Sequence, residues 1–290
     1  MTTSQPRVAV VTGASSGLGK EAAKALAARG WHVIAVGRNA ARSAAAESEI
    51  RAAAAPGGKV DMLLADLSLL ADTERLARDI AGLTDRIDVL ANNAGGMASG
   101  LVITSEGNEA NFTGNHLGPF LLTERLLPLL RKAAADAPPG AVRIINTSSD
   151  ASEMIPTINL DDMQNLGNFN VGAAYCGSKL ANVLHARALA GRLADAGIVA
   201  HSFHPGTVAS NFFADVPPAT KAYTDTLDKM SEAEGADTLI WLATSAEAGQ
   251  NSGTYWHKRA PRVPNPLIDD ADFIARFWTA SEKQVAGVEA

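Results

Sequence analysis

Short runs of β-branched and other apolar residues alternate along the chain with longer Ala- and Leu-rich stretches. "RVAVVTG" reads as a first strand, followed by a helix from about Leu18 to Arg29. "WHVIAVG" is a second strand, and an Ala-rich helix from about Ala40 is closed by the Pro56–Gly58 turn. "KVDMLLADL", "RIDVLANNAGG", "AVRIINTSS" and "GIVAHSFHPG" continue the strand series, with "SGTYWH" as a seventh. Between them lie the helix "DTERLARDIAGL", a long helix from about Glu106 to Ala133, and a second long helix opened by the segment around Tyr175. Such β-α-β alternation predicts an α/β fold, doubly wound in the Rossmann manner, with a parallel sheet of about seven strands covered on both faces. No linker-like stretch or short repeat interrupts it, so residues 1–290 read as a single domain.

Between the first strand and first helix, "VVTGASSGLGK" sets Gly13, Gly17 and Gly19 in a tight loop. Glycines there let the backbone turn sharply and approach a pyrophosphate, while the helix N-terminus offers oriented N–H groups. The spacing is neither G-x-G-x-x-G nor a P-loop. A plain Gly/Ser turn would use the same residues, but the strand–loop–helix context favours phosphate binding. The second strand ends in "AVGRN", with Gly37, then Arg38, and no carboxylate. A carboxylate there suits a ribose 2′-hydroxyl, whereas arginine suits a 2′-phosphate, so the expectation is NADP(H) favoured over NAD(H). A solvated loop cation is the alternative reading of Arg38.

Composition narrows the classes. With 47% hydrophobic residues among 290, the chain can bury a sizeable core. A net charge of -6 and the lack of any basic run disfavour a nucleic-acid partner. No apolar run approaches the ~18 residues of a membrane span, and the first residues do not read as a secretory signal. The one cysteine, Cys176, points to a reducing compartment or indifference to redox, so a cytoplasmic location is expected.

"AAYCGSKLANVLHARAL" places Tyr175 and Lys179 four apart, hence on one helix face. They are either surface decoration or a phenol whose pKa a neighbouring cation lowers. Hydride arriving at a carbonyl carbon leaves an alkoxide that needs a nearby proton donor, and a tuned tyrosine could serve.

Taken in order, "TGASSGLG", "ADL", "NNAG", "INTSS", "YCGSK" and "HPGTV" resemble the short-chain dehydrogenases/reductases over nearly the whole chain. "GNHLGPFLLTERLLP" and "SGTYW…DADFIARFWTASE" look more like the retinol-dehydrogenase-like branch. The resemblance implies an oxidoreductase in which Tyr175 is the general acid/base, Lys179 lowers its pKa and binds the nicotinamide ribose, Ser149 holds the substrate oxygen, and Asn115 joins a proton relay. It further implies cofactor contacts from Gly13, Ser15, Ser16, Gly17, Leu18, Gly19, Arg38, Asp66, Leu67, Asn93, Ala94, Thr207 and Ser210. Pro119 stands where the branch usually has histidine and should kink the long helix near Asn115.

His116, His185, His201 and His204 lack a metal-ligand spacing, so no metal site is expected. Two segments, 151–169 and 211–230, hold Met154, Ile155, Ile158, Leu160, Met163, Phe169, Phe212, Phe213, Val216 and Tyr223, with few cations. Such walls suit an apolar alcohol or carbonyl as the small-molecule partner, although the same residues would also serve as core. The rival functional class is a catalytically silent nucleotide-binding regulator on the same fold. A homo-oligomer through the two long helices is a further expectation.

Overall fold

The computed structural model describes residues 6–210, 212 and 216–288. Seven strands, β1 (Val8–Thr12), β2 (His32–Gly37), β3 (Lys59–Leu64), β4 (Val89–Asn92), β5 (Arg143–Thr147), β6 (Val199–His204) and β7 (Tyr255–His257), pair in parallel. An eighth, β8 (Ala260–Pro261), returns antiparallel to β7, giving the order β3-β2-β1-β4-β5-β6-β7-β8. No turn residue in the sequence signals this last hairpin. Its turn places Lys258 and Arg259 at φ 50° and 61°, a conformation usually signalled by Gly or Asn.

Both sheet faces are buried, and the two-residue period of β1 shows how. Val8 and Val10 pack into one core with α3 (Leu70–Leu83), α5 (Gly118–Ala135) and α6 (Val171–Arg192). Ala9 and Val11 join a second core with α1 (Gly17–Ala27), α2 (Ala40–Ala53) and α8 (Glu232–Thr244), the last reached after the short α7 (Pro218–Thr224). After β3 the chain crosses back to place β4 beside β1, so strand order reverses there. A crevice opens at the carboxyl ends of β1 and β4, where doubly wound sheets bind ligands.

The expected helix from Glu106 to Ala133 is three pieces: α4 (Ala110–Phe112), a π-helical turn Thr113–Leu117, and α5. Glu106 lies before it and instead caps α3, its carboxylate accepting from the Leu70 and Ala71 amides at 2.6 and 2.9 Å. The expected distortion falls around Asn115. Pro119 has no N–H to give the Asn115 carbonyl, and the Gly118 N–H reaches back to Thr113 O, a π-type bond.

The last helix, α9 (Ala271–Val285), lies across α6 and the π turn. Trp278 meets Phe120 at 4.9 Å, Phe277 meets His116 at 5.2 Å, and Arg192 covers Trp278 at 4.0 Å. Part of the long-helix face is therefore filled from within the chain. His116 and His185 belong to this packing. Burial pulls both below the ordinary histidine range, His185 to about 3. No described helix is long and apolar enough to cross a membrane.

Candidate active site

The glycine loop shapes the crevice at the end of β1. Gly13 sits at φ 69°, and a Cβ there would come within 2.8 Å of the Ala94 Cα; at Gly19 it would come within 2.5 Å of Asn93 Nδ2. Gly37 is likewise closed in, by Ser43 and Ser15. The glycine loop thus packs closely against the segment that follows β4. Ser16 is the N-cap of α1 but makes no capping bond, so the first-turn amides of Gly17, Leu18 and Gly19 have no intrahelical partner. Such an open N-terminus beside a glycine loop fits a dinucleotide's pyrophosphate. Ser210 faces it, its Cβ 3.7 Å from where a Gly17 Cβ would stand. The Thr207–Ser210 loop is held by Thr207 O, which accepts from Met230 N at 2.9 Å.

At the end of β2 the Arg38 side chain is 69% exposed and stands 3.8 Å from Asp66 Oδ2. No carboxylate occupies β2 itself, yet β3's continuation supplies one within reach of the guanidinium. Asp66 Oδ1 accepts from the Ser68 amide and hydroxyl at 3.0 and 2.7 Å, which fixes its orientation. Leu67 is buried, and its carbonyl lies where a Cβ on Gly118 would fall.

Thr12, which the sequence analysis did not single out, ties the loop after β4 to β1. Its hydroxyl oxygen accepts from the amides of Asn93 and Ala94 at 3.0 and 2.9 Å, and its carbonyl accepts from Asn93 Nδ2 at 3.0 Å. Its signal was its place as the first residue of "TGASSGLG", just before the first glycine of the loop. Asn93 and Ala94 thereby line the crevice as fixed backbone.

Asn115 is locked by its side chain. Oδ1 accepts from Gly96 N at 2.8 Å, while Nδ2 donates to Gly96 O at 2.9 Å and to Ser178 Oγ at 3.0 Å. A Cβ on neighbouring Gly95 would lie 2.7 Å from Asn115 Oδ1 and 3.1 Å from Lys179 Nζ, so these groups share one pocket.

Asn170 caps α6, accepting from Ala173 N, and Tyr175 and Lys179 follow on consecutive turns. The Lys179 ammonium lies 5.6 Å from the Tyr175 ring centre and donates to Thr147 O at 3.4 Å. Ser149, after β5, donates its hydroxyl to Asp150 Oδ1 at 2.9 Å and accepts from Ala151 N at 3.2 Å, close enough to the Tyr175 phenol to influence its titration. Burial is the larger effect and pushes the Tyr175 pKa up, the Ser149 hydroxyl opposing and the Asp150 and Cys176 charges adding to it. Burial also pulls Lys179 down to about 8, because an ammonium away from water loses its hydration. The neighbouring Cys176 thiol is raised, again by burial first.

The model of the family described as short chain dehydrogenase matches residues 7–221. This chain is a short-chain dehydrogenase. A Streptomyces sp. (strain C5) protein, provisionally named a daunorubicin C-13 ketoreductase, is 36% identical over 96% of this chain and 92% of its own. Human retinol dehydrogenase 13 is 34% identical over 98% and 86%, which places the chain on the retinol-dehydrogenase-like branch. Among solved structures, the Pseudomonas aeruginosa RhlG/NADP active-site complex aligns with TM-score 0.67 at 29% identity, covering 86% of this chain and 93% of that one. The family consists of oxidoreductases that act on CH–OH groups with NAD(P).

In this short-chain dehydrogenase a cleft of about 470 Å³ opens beside the first turn of α6, one turn before Tyr175. Phe169 lines it, together with Met97, Ser99, Leu101, Asn170 and Pro217. Phe212 reaches Tyr175, ring to ring at 5.7 Å. Ile158 and Met163 instead belong to the core, with Ile155 and Leu160 packed against it, so these four are structural. Val216 is buried as well. Phe213, another expected wall residue, lies outside the described residues. The exposed apolar run Leu101, Val102 and Ile103 went unnoticed in the sequence because no periodicity marks so short a stretch.

Proposed function

We propose that this short-chain dehydrogenase uses NADP(H) to interconvert an apolar alcohol with its ketone or aldehyde, with Tyr175 as general acid/base. One observation carries the reading: Tyr175, Ser149, Lys179 and Asn115 gather at the sheet crevice that also holds the glycine loop. The nicotinamide, when bound, supplies or takes up the hydride. Tyr175 gives a proton to the forming alkoxide or takes it from the alcohol, and Ser149 would hold the same oxygen by turning its hydroxyl away from Asp150. Lys179 lies between the Tyr175 ring and the pocket of Gly95 and Asn115, where a cation supports the phenolate and offers N–H groups to a ribose. Asn115 acts here as a positioning residue, because its amide is already bonded to Gly96 and Ser178. Gly13, Ser15, Ser16, Gly17, Leu18 and Gly19 would cradle the pyrophosphate. Asp66, Leu67, Asn93 and Ala94 would take the adenosine side, and Thr207 and Ser210 the nicotinamide end.

Arg38 supports NADP(H), since a guanidinium can pair with a 2′-phosphate in two parallel bonds. Asp66, at 3.8 Å, competes for the same cation and should temper that preference. The cleft sets Met97, Leu101, Phe169 and Pro217 beside Ser99, Asn170 and Thr220, which supports a substrate with an apolar body and a polar group. Any homo-oligomer built on α5 and α6 would use the flanks that α9 leaves open. The single cysteine supports a reducing, cytoplasmic compartment. The test is to screen the purified protein against apolar ketones, aldehydes and alcohols with each cofactor, following nicotinamide absorbance. Turnover with none of them, alongside tight nucleotide binding, would point instead to a silent regulator.

A further inference from the structure

Two walls of the cleft come from distant parts of the chain and are joined by one side chain. The first runs from Met97 and Leu101 into a hairpin over residues 101–110, whose arms pair at Ile103 and Glu109. Ala110 N donates to Val102 O and Thr104 N to Asn108 O, both at 2.8 Å. The second is the segment 159–170, which ends in Phe169 and in Asn170, the cap of α6. Gln164 stands between them. Its Oε1 accepts from Glu109 N at 2.6 Å, while its Nε2 donates to Asn108 Oδ1 at 3.1 Å and to Gln284 Oε1 of α9 at 2.7 Å. A backbone N–H can meet only an acceptor, so the Glu109 bond fixes which end of the Gln164 amide faces the hairpin. Both amide hydrogens are then in use.

We propose that Gln164 is a positioning residue that sets the width of the substrate cleft, and with it the bulk of the alcohol or carbonyl compound this dehydrogenase accepts. This role rests on the oxidoreductase reading above. Packing does little to hold the hairpin, because Leu101, Val102 and Ile103 are about half exposed. Glu106 fastens its tip to the first amides of α3, which leaves the returning arm at Asn108 and Glu109 to Gln164. The opposite wall is rigid. Ile158 and Met163 are buried in the core, and the Asp162 carboxylate accepts from Leu166 N and Gly167 N, both at 2.8 Å. Gln164 therefore ties a loosely packed wall to a fixed one.

Glu109 also opens the helical run that carries Asn115, its carboxylate accepting from Asn111 N and Phe112 N at 3.0 and 2.6 Å. A bond to the Glu109 amide could thus serve the cleft wall or the Asn115 turn. The Asn115 side chain is already held by Gly96 and Ser178, so the turn has its own fastening. Glu109 itself is fully buried, and a buried N–H needs an acceptor. Without Gln164 the arm would swing outward until water or another group met that N–H. A bulkier substrate would then fit, and a compact one would lose its contacts on one side.

The experiment compares wild type with Gln164→Met, Gln164→Ala and Gln284→Met, and with Asp161→Asn as an exposed control on the same segment. Benzaldehyde and para-phenylbenzaldehyde, which share a reacting group and differ by one ring, are reduced with NADPH and with NADH. In the Gln164 variants the KM for benzaldehyde should rise while kcat stays within about twofold, moving the kcat/KM preference roughly tenfold toward the larger aldehyde. Gln284→Met keeps the Glu109 bond and should shift the preference less, and Asp161→Asn should match wild type. Hydrogen exchange in Gln164→Met should quicken over residues 101–110 and not across the sheet. Methionine keeps the length of the side chain, so this variant decides the matter if Gln164→Ala does not fold. An unchanged or reversed preference would overturn the role of Gln164. So would a kcat that falls equally for both aldehydes, which would assign Gln164 to the Asn115 turn or to the fold alone. In either case wild type still turns over, and the oxidoreductase reading stands. Wild type that reduces neither aldehyde with either cofactor would overturn that reading, and the role of Gln164 with it.

Discussion

Lys179 holds its ammonium 5.6 Å from the centre of the Tyr175 ring, and burial moves the two titrations toward their uncharged forms. The resting pair is a neutral phenol beside an ammonium that is half deprotonated near pH 8. This arrangement is unfavourable for folding and useful for chemistry.

Lys179→Met should therefore stabilise the free protein at neutral pH while impairing it as an enzyme. A fall from 10.5 to about 8 corresponds to a penalty on the order of 3 kcal/mol below pH 8. The unfolded chain binds the proton more tightly, so wild-type stability should rise between about pH 8 and pH 10. Above that, the raised Tyr175 acts in the opposite sense, because only the unfolded phenol ionises readily. Thermal melts against pH should show the variant melting a few degrees higher at pH 7 and lacking the rise. Alcohol oxidation by the variant should need higher pH, and cofactor affinity should drop.

Tyr175→Phe removes one oxygen and leaves the ring against Phe212. Turnover should fall by ~10²–10⁴-fold, while the dissociation constant for NADPH changes little. Stopped turnover together with lost nucleotide binding would mean that the ring, and not the proton, is what matters.

Arg38→Ala should weaken NADPH binding by roughly ten- to a hundredfold and leave NADH nearly unaffected, from charge-assisted hydrogen bonds to a 2′-phosphate. Since Arg38 is 69% exposed and stands near Asp66, the difference should shrink as salt rises. The measurement is kcat/KM for both cofactors at two ionic strengths. Equal losses for the two would remove Arg38 as the reader of the phosphate.

Gly13→Ala and Gly30→Ala separate strain from contact. Both glycines have positive φ, 69° and 77°, and a side chain should cost about 1–2 kcal/mol at either. Only at Gly13 would the Cβ also strike backbone, 2.8 Å from the Ala94 Cα; nothing lies within 4 Å at Gly30. Denaturant unfolding should show the larger loss at Gly13, and titration with NADPH should show binding lost there and kept in Gly30→Ala.

The sequence by itself determined the α/β alternation, the parallel sheet, the glycine loop and the family, because each is written in residues close together along the chain. β1 shows this most plainly, as its alternate residues feed the two cores directly. The tertiary structure alone decided the rest. Asn115 is locked by Gly96 and by Ser178, 63 residues away, and Thr12 holds Asn93 from 81 residues away. α9 came to rest on the face of α6, and Asp150 was turned toward Ser149. The pairing of Tyr175 with Lys179 was legible from their spacing, but the direction of their titrations was not. Spacing states which charges are neighbours, whereas the pKa depends on how much water the fold removes from around them.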